Sequence, residues 1–308
     1  RRAAGRVGRV SRPTRLERAL AEGRFAVTGE LGPPKHAGAA EVAAKARVLG
    51  PVCDAINVTD NQAAQSRMCA LAAARIALDE GAAPVLQLTV RDRNRMALTG
   101  DLLGASALGV HNTLAMSGDP MSIGNHPEAA TVGDLDTMGL LRLQRTLREG
   151  HFMNAAGEPL AGPAPHLVIG ATANPSAPDP DAEIARMREK MLAGADFFQT
   201  QLTYRPELVR AFLDRLRGSD LPAWPRMLDG VGPFKHLRMA VHIRDRVWGA
   251  DVPDALVQRM ARARDEAEEG KRICVEVIEA LREVDGVAGC HVMAVAWEES
   301  VPEILERA

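Results

Sequence analysis

One pattern constrains this chain more than any other. Eight short apolar runs, at 25–28, 54–58, 84–89, 112–116, 166–171, 197–201, 223–228 and 289–294, are each followed by a helical stretch. Runs of this length bounded by Gly, Pro, Asn and Asp read as buried strands. The stretches between them carry helix signals, such as the Ala-rich 39–49 closed by Gly50-Pro51, and Pro206 at the start of a helix after Tyr204-Arg205. Strict alternation means that each helix carries the chain back to the starting end of the sheet, so neighbouring strands run parallel. Eight such units in 308 residues predict a closed (β/α)8 TIM barrel, a single α/β domain over 14–308. Thr14 is placed to cap a short helix before the first strand. A doubly wound open sheet is the alternative, but the chain has no G-x-G-x-x-G or G-x-x-x-x-G-K-[ST] element.

Aromatic residues make up only 3% of the chain, so its core is built from Ala, Val, Leu, Ile and Met, which suits helices packed on a parallel sheet. The net charge of -2 gives no field to recruit nucleic acid or an anionic membrane surface. No apolar run reaches the roughly 18 residues a membrane helix needs. The four cysteines, Cys53, Cys69, Cys274 and Cys290, form no C-x-x-C pair and read as reduced thiols of a cytoplasmic protein rather than metal ligands. Residues 1–13 are Arg-rich and lack acids, and no apolar segment follows them to form an export signal; they read as a disordered basic tail.

In a barrel of this kind the C-terminal ends of the strands converge on one site. The predicted ends supply Glu30, Thr59 with Asp60 and Asn61, Gln87 with Thr89, Ser117 with Asp119, Asn174, Gln201, Asp229, and Trp297-Glu298. Glu30 is expected on a stiff loop between the strand 25–28 and Pro33-Pro34. The set is rich in acids, amides and hydroxyls. It has no His/Asp metal cluster, and no strand-end Lys of the kind a Schiff-base aldolase needs. Amides and carboxylates around a barrel mouth suit a flat, hydrogen-bonding heterocycle such as a flavin or a pterin. A carboxylic acid there can deliver a proton to a ring nitrogen. The same residues would also serve as strand caps bonded to one another.

Several of these pieces occur in a recognisable order: Glu30 followed by Pro33-Pro34, Val58-Thr59, Leu88-Thr89, the A-M-S-G-D-P run from Ala115 to Pro120, Ala193-Gly194-Ala195 leading to Thr200-Gln201, and Phe234-Lys235. Together they resemble the 5,10-methylenetetrahydrofolate reductases, from about Phe25 to the end of the chain. The stretches 88–95 and 291–299 look most like the branch found in acetogenic and related bacteria, some members of which work beside an iron–sulfur partner protein. The resemblance implies a flavoprotein of one-carbon metabolism and methionine biosynthesis, assembled as a homo-oligomer. Its cofactor would be FAD, or FMN, with NAD(P)H as electron donor. It implies Glu30 as general acid at N10 of the folate, Asp119 as the pterin-anchoring and flavin-tuning aspartate, and Gln201 and Phe234 as substrate contacts. Flavin contacts fall on Thr59, Gly118, Glu183, Arg186 and Lys190, the last three spaced i, i+3, i+7 on one side of a helix.

The chain departs from the better-known flavoenzyme branch at three positions around the cofactor. Gln87 replaces a His, Ser117 an Arg and Asn174 a Tyr. Loss of a cation and an aromatic leaves a second reading open, in which the barrel is a folate-binding subunit of a larger electron-transfer complex with little activity alone.

Overall fold

The computed structural model describes residues 12–308; the basic segment read as a tail falls almost wholly outside them. The first helix, α1 (Arg15–Ala21), begins at Thr14, whose hydroxyl accepts from the Glu17 amide while the Glu17 carboxylate accepts from the Thr14 amide. This reciprocal capping box sets the helix across the N-terminal mouth of the barrel.

Eight strand–helix units follow: β1 (Ala26–Leu31), α2 (Ala39–Leu49), β2 (Ala55–Val58), α3 (Ala70–Asp79), β3 (Pro84–Thr89), α4 (Arg95–Ala107), β4 (Asn112–Met116), α5 (Thr137–Arg148), β5 (Val168–Ala173), α6 (Pro180–Leu192), β6 (Phe197–Leu202), α7 (Pro206–Arg217), β7 (Met227–Val231), then α8 (Leu237–Arg246), α9 (Asp254–Arg262) and α10 (Glu266–Arg282), and finally β8 (Val287–Val292) with α11 (Val301–Arg307). Every neighbouring pair is parallel, and β8 closes on β1, with Thr28 opposite His291. The fold is the (β/α)8 barrel that the alternation predicts.

Two layers of apolar packing hold it. Outside the sheet, Leu31, Val58, Leu86, Leu88 and Ile169 meet helix residues such as Leu49, Leu98, Leu140 and Ile278. Inside, Ala26, Ala55, Val85, Leu114, Val168, Phe197 and Leu228 fill the N-terminal half and rest on Leu16, Ala19 and Leu20 of α1. Gly170 is needed there, because a Cβ at that position would stand 2.5 Å from the Phe197 ring. Among the described residues no helix is long and apolar enough to cross a membrane.

Four local expectations need correction. The first strand does not stop at Thr28; it continues through Gly29 and Glu30 to Leu31. Gly29 faces outward, where a Cβ would press on Cys53 Sγ at 3.1 Å, so it makes room for α2 rather than ending the strand. The helix expected from residue 63 begins only at Ala70. Asn61, Ala63 and Ala64 all take left-handed backbone angles, and their segment folds inward over the barrel. The 223–228 run is mostly loop: Trp224 lies outside on Gly286 and donates to its carbonyl at 3.1 Å, and β7 starts at Met227. Strands β5 and β8 also sit two residues from their predicted places.

Candidate active site

Alternate residues of each strand point into the barrel. On β1 these are Ala26, Thr28 and Glu30, and on β8 His291 shares their face through its register with Thr28. Above the apolar plug the interior turns polar. Gln199 Nε2 donates to Asn57 Oδ1 and to Thr28 Oγ1, both at 3.1 Å, and Asn57 Nδ2 returns a bond to Gln199 Oε1 at 2.6 Å. Thr28 Oγ1 meets His291 Nδ1 at 2.9 Å, and His291 Nε2 faces Glu30 Oε2 at 3.6 Å. Thr28, Asn57, Gln199 and His291 are buried. Glu30 crowns this ladder with its side chain 23% exposed, above His291 and open to the mouth.

A second group gathers over β2, β3 and β4. Asp60 accepts from the Thr89 amide at 2.8 Å and hydroxyl at 3.0 Å and pairs with Arg93. The buried Arg91 bonds both oxygens of Asp92, the Asp119 carbonyl at 3.0 Å and the Asn61 carbonyl at 3.3 Å. Its guanidinium holds the Asp92 carboxyl below the usual carboxylate range. Asp119 is exposed, and its Oδ2 accepts from the Ala63 amide at 2.7 Å. That bond helps explain the unusual backbone of 61–64: the left-handed residues turn an amide toward a site carboxylate. Gly118 has φ +87, and a Cβ there would lie 3.1 Å from Thr89 and Arg91, so only glycine fits. Thr59 donates to Gln62 at 2.8 Å; Gln87 is buried on the inner face of β3, and Ser117 is exposed.

The third group rims β5 and β6. Buried Glu183 accepts from the Asn174 amide at 3.0 Å and from Arg186 at 2.7 Å. Lys190 donates to the Thr172 carbonyl at 2.6 Å, and burial lowers its pKa. The helical spacing therefore does bring Glu183, Arg186 and Lys190 to one side, against the end of β5. Gln201 spends its Oε1 on the Leu202 amide at 2.9 Å and turns its Nε2 to the Trp248 carbonyl at 3.4 Å.

Phe234 is not part of this surface. It has no exposed area and stacks on Tyr204 with ring centroids 4.7 Å apart, so the expected substrate contact is here a packing residue. The Gly270 backbone of α10 lies directly against it, where a Cβ would be 1.8 Å from the Phe234 carbonyl oxygen. Asp229, read as a strand-end acid, instead lies within β7 and is buried with neither oxygen bonded; its inward neighbours are Leu228 and Gly230.

Three residues that sequence reasoning passed over belong to the site. His291 was one of eight dispersed histidines until the register of β8 against β1 set it beneath Glu30. Arg91 lay in the charged stretch 91–95, where nothing in the sequence separates it from Arg93 and Arg95. Trp248, 89% exposed in the loop after α8, stands beside Gln201 and Asn174 through Gly249; its only signal was a large aromatic in a Gly-Ala loop. Clefts on the outer helices, between α6 and α7 and beside α10, contain none of the strand-end groups.

A closed parallel barrel with its polar side chains gathered at the C-terminal face has the architecture of a barrel enzyme. The sequence pattern of the family "Methylenetetrahydrofolate reductase" matches residues 15–308, and the chain belongs to that family. Methylenetetrahydrofolate reductase 2 of Schizosaccharomyces pombe is 27% identical over 237 residues, covering 72% of this chain and 35% of the relative. Methylenetetrahydrofolate reductase 1 of the same yeast is 26% identical over 229 residues, with the same coverage. The chain thus spans about a third of the length of the curated relatives it matches. Among solved structures, an uncharacterized protein from Clostridium thermocellum that binds two copies of 5-methyl-5,6,7,8-tetrahydrofolic acid superposes with a TM-score of 0.68. It is 14% identical, over 95% of this chain and 96% of that one, and shares the fold.

Proposed function

We propose that this barrel reduces 5,10-methylenetetrahydrofolate to 5-methyltetrahydrofolate, with Glu30 as the acid that protonates N10. The observation that carries the reading is the position of Glu30 in a chain of this family: inward on β1, with His291 Nε2 3.6 Å below it and the mouth open above. In this reaction the bond between the methylene carbon and N10 breaks, N10 takes a proton, and the cation left on N5 and the methylene carbon accepts a hydride. Glu30 supplies the proton and is left as a carboxylate. Asp119, at the rim of β4, accepts from the aminopyrimidine edge of the pterin while Arg91 steadies its backbone. Gln201 offers its Nε2 to the same ring on leaving the Trp248 carbonyl, 3.4 Å away. The barrel walls and the loop 61–64 keep water from the opened ring.

A flavin would supply the hydride, and the rim of β4 to β6 suits one. Gly118 gives a side-chain-free backbone for close approach, and Gln87, Ser117 and Asn174 add polar partners where the flavoenzyme branch has His, Arg and Tyr. Arg186 and Lys190 are the cations for a phosphate. Burial lowers the pKa of Lys190 although Glu183 lies nearby. Thr59 and Glu183 complete the set, Glu183 acting as a strut that holds Asn174 and Arg186.

The test is the visible spectrum of the purified protein, followed by anaerobic addition of NAD(P)H. Flavin absorbance that bleaches, then returns with methylenetetrahydrofolate, is the expected result. A protein that takes up no FAD or FMN would favour the folate-binding subunit instead. Flavin that NAD(P)H leaves oxidised would indicate a protein donor such as an iron–sulfur subunit.

A further inference from the structure

We propose that Trp248 is the aromatic platform of the folate site, its indole covering the face of the pterin ring that Gln201 engages at the edge. The inference rests on the reading of this barrel as a methylenetetrahydrofolate reductase.

The segment after α8 is a tight turn with a fixed base and a free tip. The Ala250 amide donates to the Val247 carbonyl at 3.2 Å, and Gly249 takes φ +78, so Trp248 and Gly249 are the central residues of a type II turn. Both flanks are tied down. Val247 and Ala250 pack on the core. Asp251 bridges to Thr203 as a short parallel extension of β6: its amide donates to the Leu202 carbonyl at 2.9 Å, its carbonyl accepts from the Tyr204 amide at 3.3 Å, and its carboxylate pairs with Arg205. Between these anchors Trp248 is left 89% exposed. No packing holds the ring, so it is free to turn about its Cα–Cβ bond.

The tip stands at the part of the rim where a flat ring is expected. The Trp248 carbonyl accepts from Gln201 Nε2 at 3.4 Å. Gly249 lies so close that a Cβ there would stand 3.6 Å from Gln201 Cγ and 3.8 Å from Asn174 Nδ2. When Gln201 leaves the Trp248 carbonyl for the pterin edge, the indole is the neighbouring side chain with a free face. Aromatic rings are scarce here, at 3% of the chain, and among the described residues Trp248 is the most exposed of them. Phe234 is buried on Tyr204, and Trp224 is held against Gly286 at the opposite end of the barrel. The chemistry needs such a cover. Hydride reaches the folate from one face of the ring, and the cation formed on N5 and the methylene carbon is open to water from the other. An indole stacked there buries apolar surface and keeps water off that face.

The experiment measures binding of 5-methyltetrahydrofolate to the purified protein by calorimetry. Trp248→Ala should raise the Kd by about 10- to 30-fold, the scale of one aromatic stack on a heterocycle, and Trp248→Phe by no more than about threefold. The melting temperature should be the same in all three proteins, since the exposed ring supports no packing. Ligand should quench the tryptophan emission of the wild type and leave that of Trp248→Phe nearly unchanged. The second probe is 6-methyltetrahydropterin, which lacks the p-aminobenzoylglutamate tail; it should lose the same factor in Trp248→Ala. A Kd unchanged by Trp248→Ala would overturn the proposal. So would a loss confined to the full folate, which would put the indole on the aryl ring, or a loss of FAD affinity in place of folate affinity. A wild type that binds no folate would remove the reductase reading itself, whatever Trp248 does.

Discussion

The two halves of the barrel interior are built on the same strands and do opposite things. On β1, β2, β3 and β6, moving up the strand by two residues replaces an apolar side chain with a polar one: Ala26 gives way to Thr28 and Glu30, Ala55 to Asn57 and Thr59, Val85 to Gln87 and Thr89, Phe197 to Gln199 and Gln201. Below the change, side chains interlock on α1 and exclude water. Above it they bond to one another in a ladder that lies beneath one half-open acid. The period of two is kept throughout, so the pleat does not distinguish the halves; the choice of side chain does. Stability is thereby concentrated at the bottom and chemistry at the top, as the barrel fold favours.

The largest effect that would break this division is at Glu30. Glu30→Gln keeps the size of the side chain and removes the proton. Reoxidation of reduced flavin by methylenetetrahydrofolate should fall about 10²- to 10⁴-fold, the range a positioned acid supplies, while flavin reduction by NAD(P)H is retained. A matched loss in both half-reactions, read in the same stopped-flow traces, would return Glu30 to a structural role.

The counterpart below is Phe197→Ala. Phe197 is fully buried over the α1 plug and against Gly170, so its removal leaves a cavity that backbone neighbours cannot fill. Unfolding in urea should show a loss of about 3–5 kcal/mol. At low temperature, where the variant stays folded, both half-reactions should keep their rates within about twofold. If folate turnover collapsed while the urea midpoint held, the two halves would not be separable.

A third prediction contrasts an inward and an outward residue on adjoining strands. Gly230 lies opposite His291 on the inner face, whereas Asp229 lies opposite Cys290, under the helices. Both its oxygens are unbonded, and burial raises its carboxyl from 3.8 to about 7. Between about pH 4 and 7 the folded protein holds a proton that the unfolded chain has released, so stability falls as pH rises through that window and stays low above it. Asp229→Asn should remove the slope, gaining about 2–4 kcal/mol at pH 8 and nothing at pH 4, as measured by urea midpoints at the two pH values. Parallel pH profiles for the two proteins would show that Asp229 finds a partner in solution.

The fold was legible because alternation survives small errors. Strands β5 and β8 were displaced by two residues and β7 by three to four, yet the number and order of the strand–helix units were unaffected. The resemblance singled out Asp119, Glu183, Arg186 and Lys190 for the rim, and helical spacing is why the last three share one side. His291 was not legible, because its value depends on pairing between the first and last strands, 263 residues from Thr28. Ala63 and Ala64 read as the start of a helix because alanine favours it; in the structure both take left-handed angles and the Ala63 amide bonds the carboxylate of Asp119, 56 residues away. Phe234 was named by the resemblance as a substrate contact; sequence gives no sign of which side of its loop it packs on, and here it is buried and stacks on Tyr204.

The smallest expected effect tests whether the polar half acts through charge or through shape. Asp119 has an exposed carboxylate that accepts from the Ala63 amide, and the Arg91 guanidinium holds its backbone carbonyl. Asp119→Asn keeps an oxygen for that amide, so the 61–64 segment and the melting temperature should be unchanged. It removes the negative charge that meets the donor edge of the pterin. The KM for methylenetetrahydrofolate should rise about tenfold, some 1.4 kcal/mol, the scale of one charge-assisted hydrogen bond against a neutral one. The flavin midpoint potential should move to a more positive value, since a negative charge near the ring disfavours adding electrons to it. If KM and potential both stay put while the 61–64 segment loosens, as hydrogen exchange at the Ala63 amide would report, Asp119 serves the loop's shape and the pterin edge is met by another group.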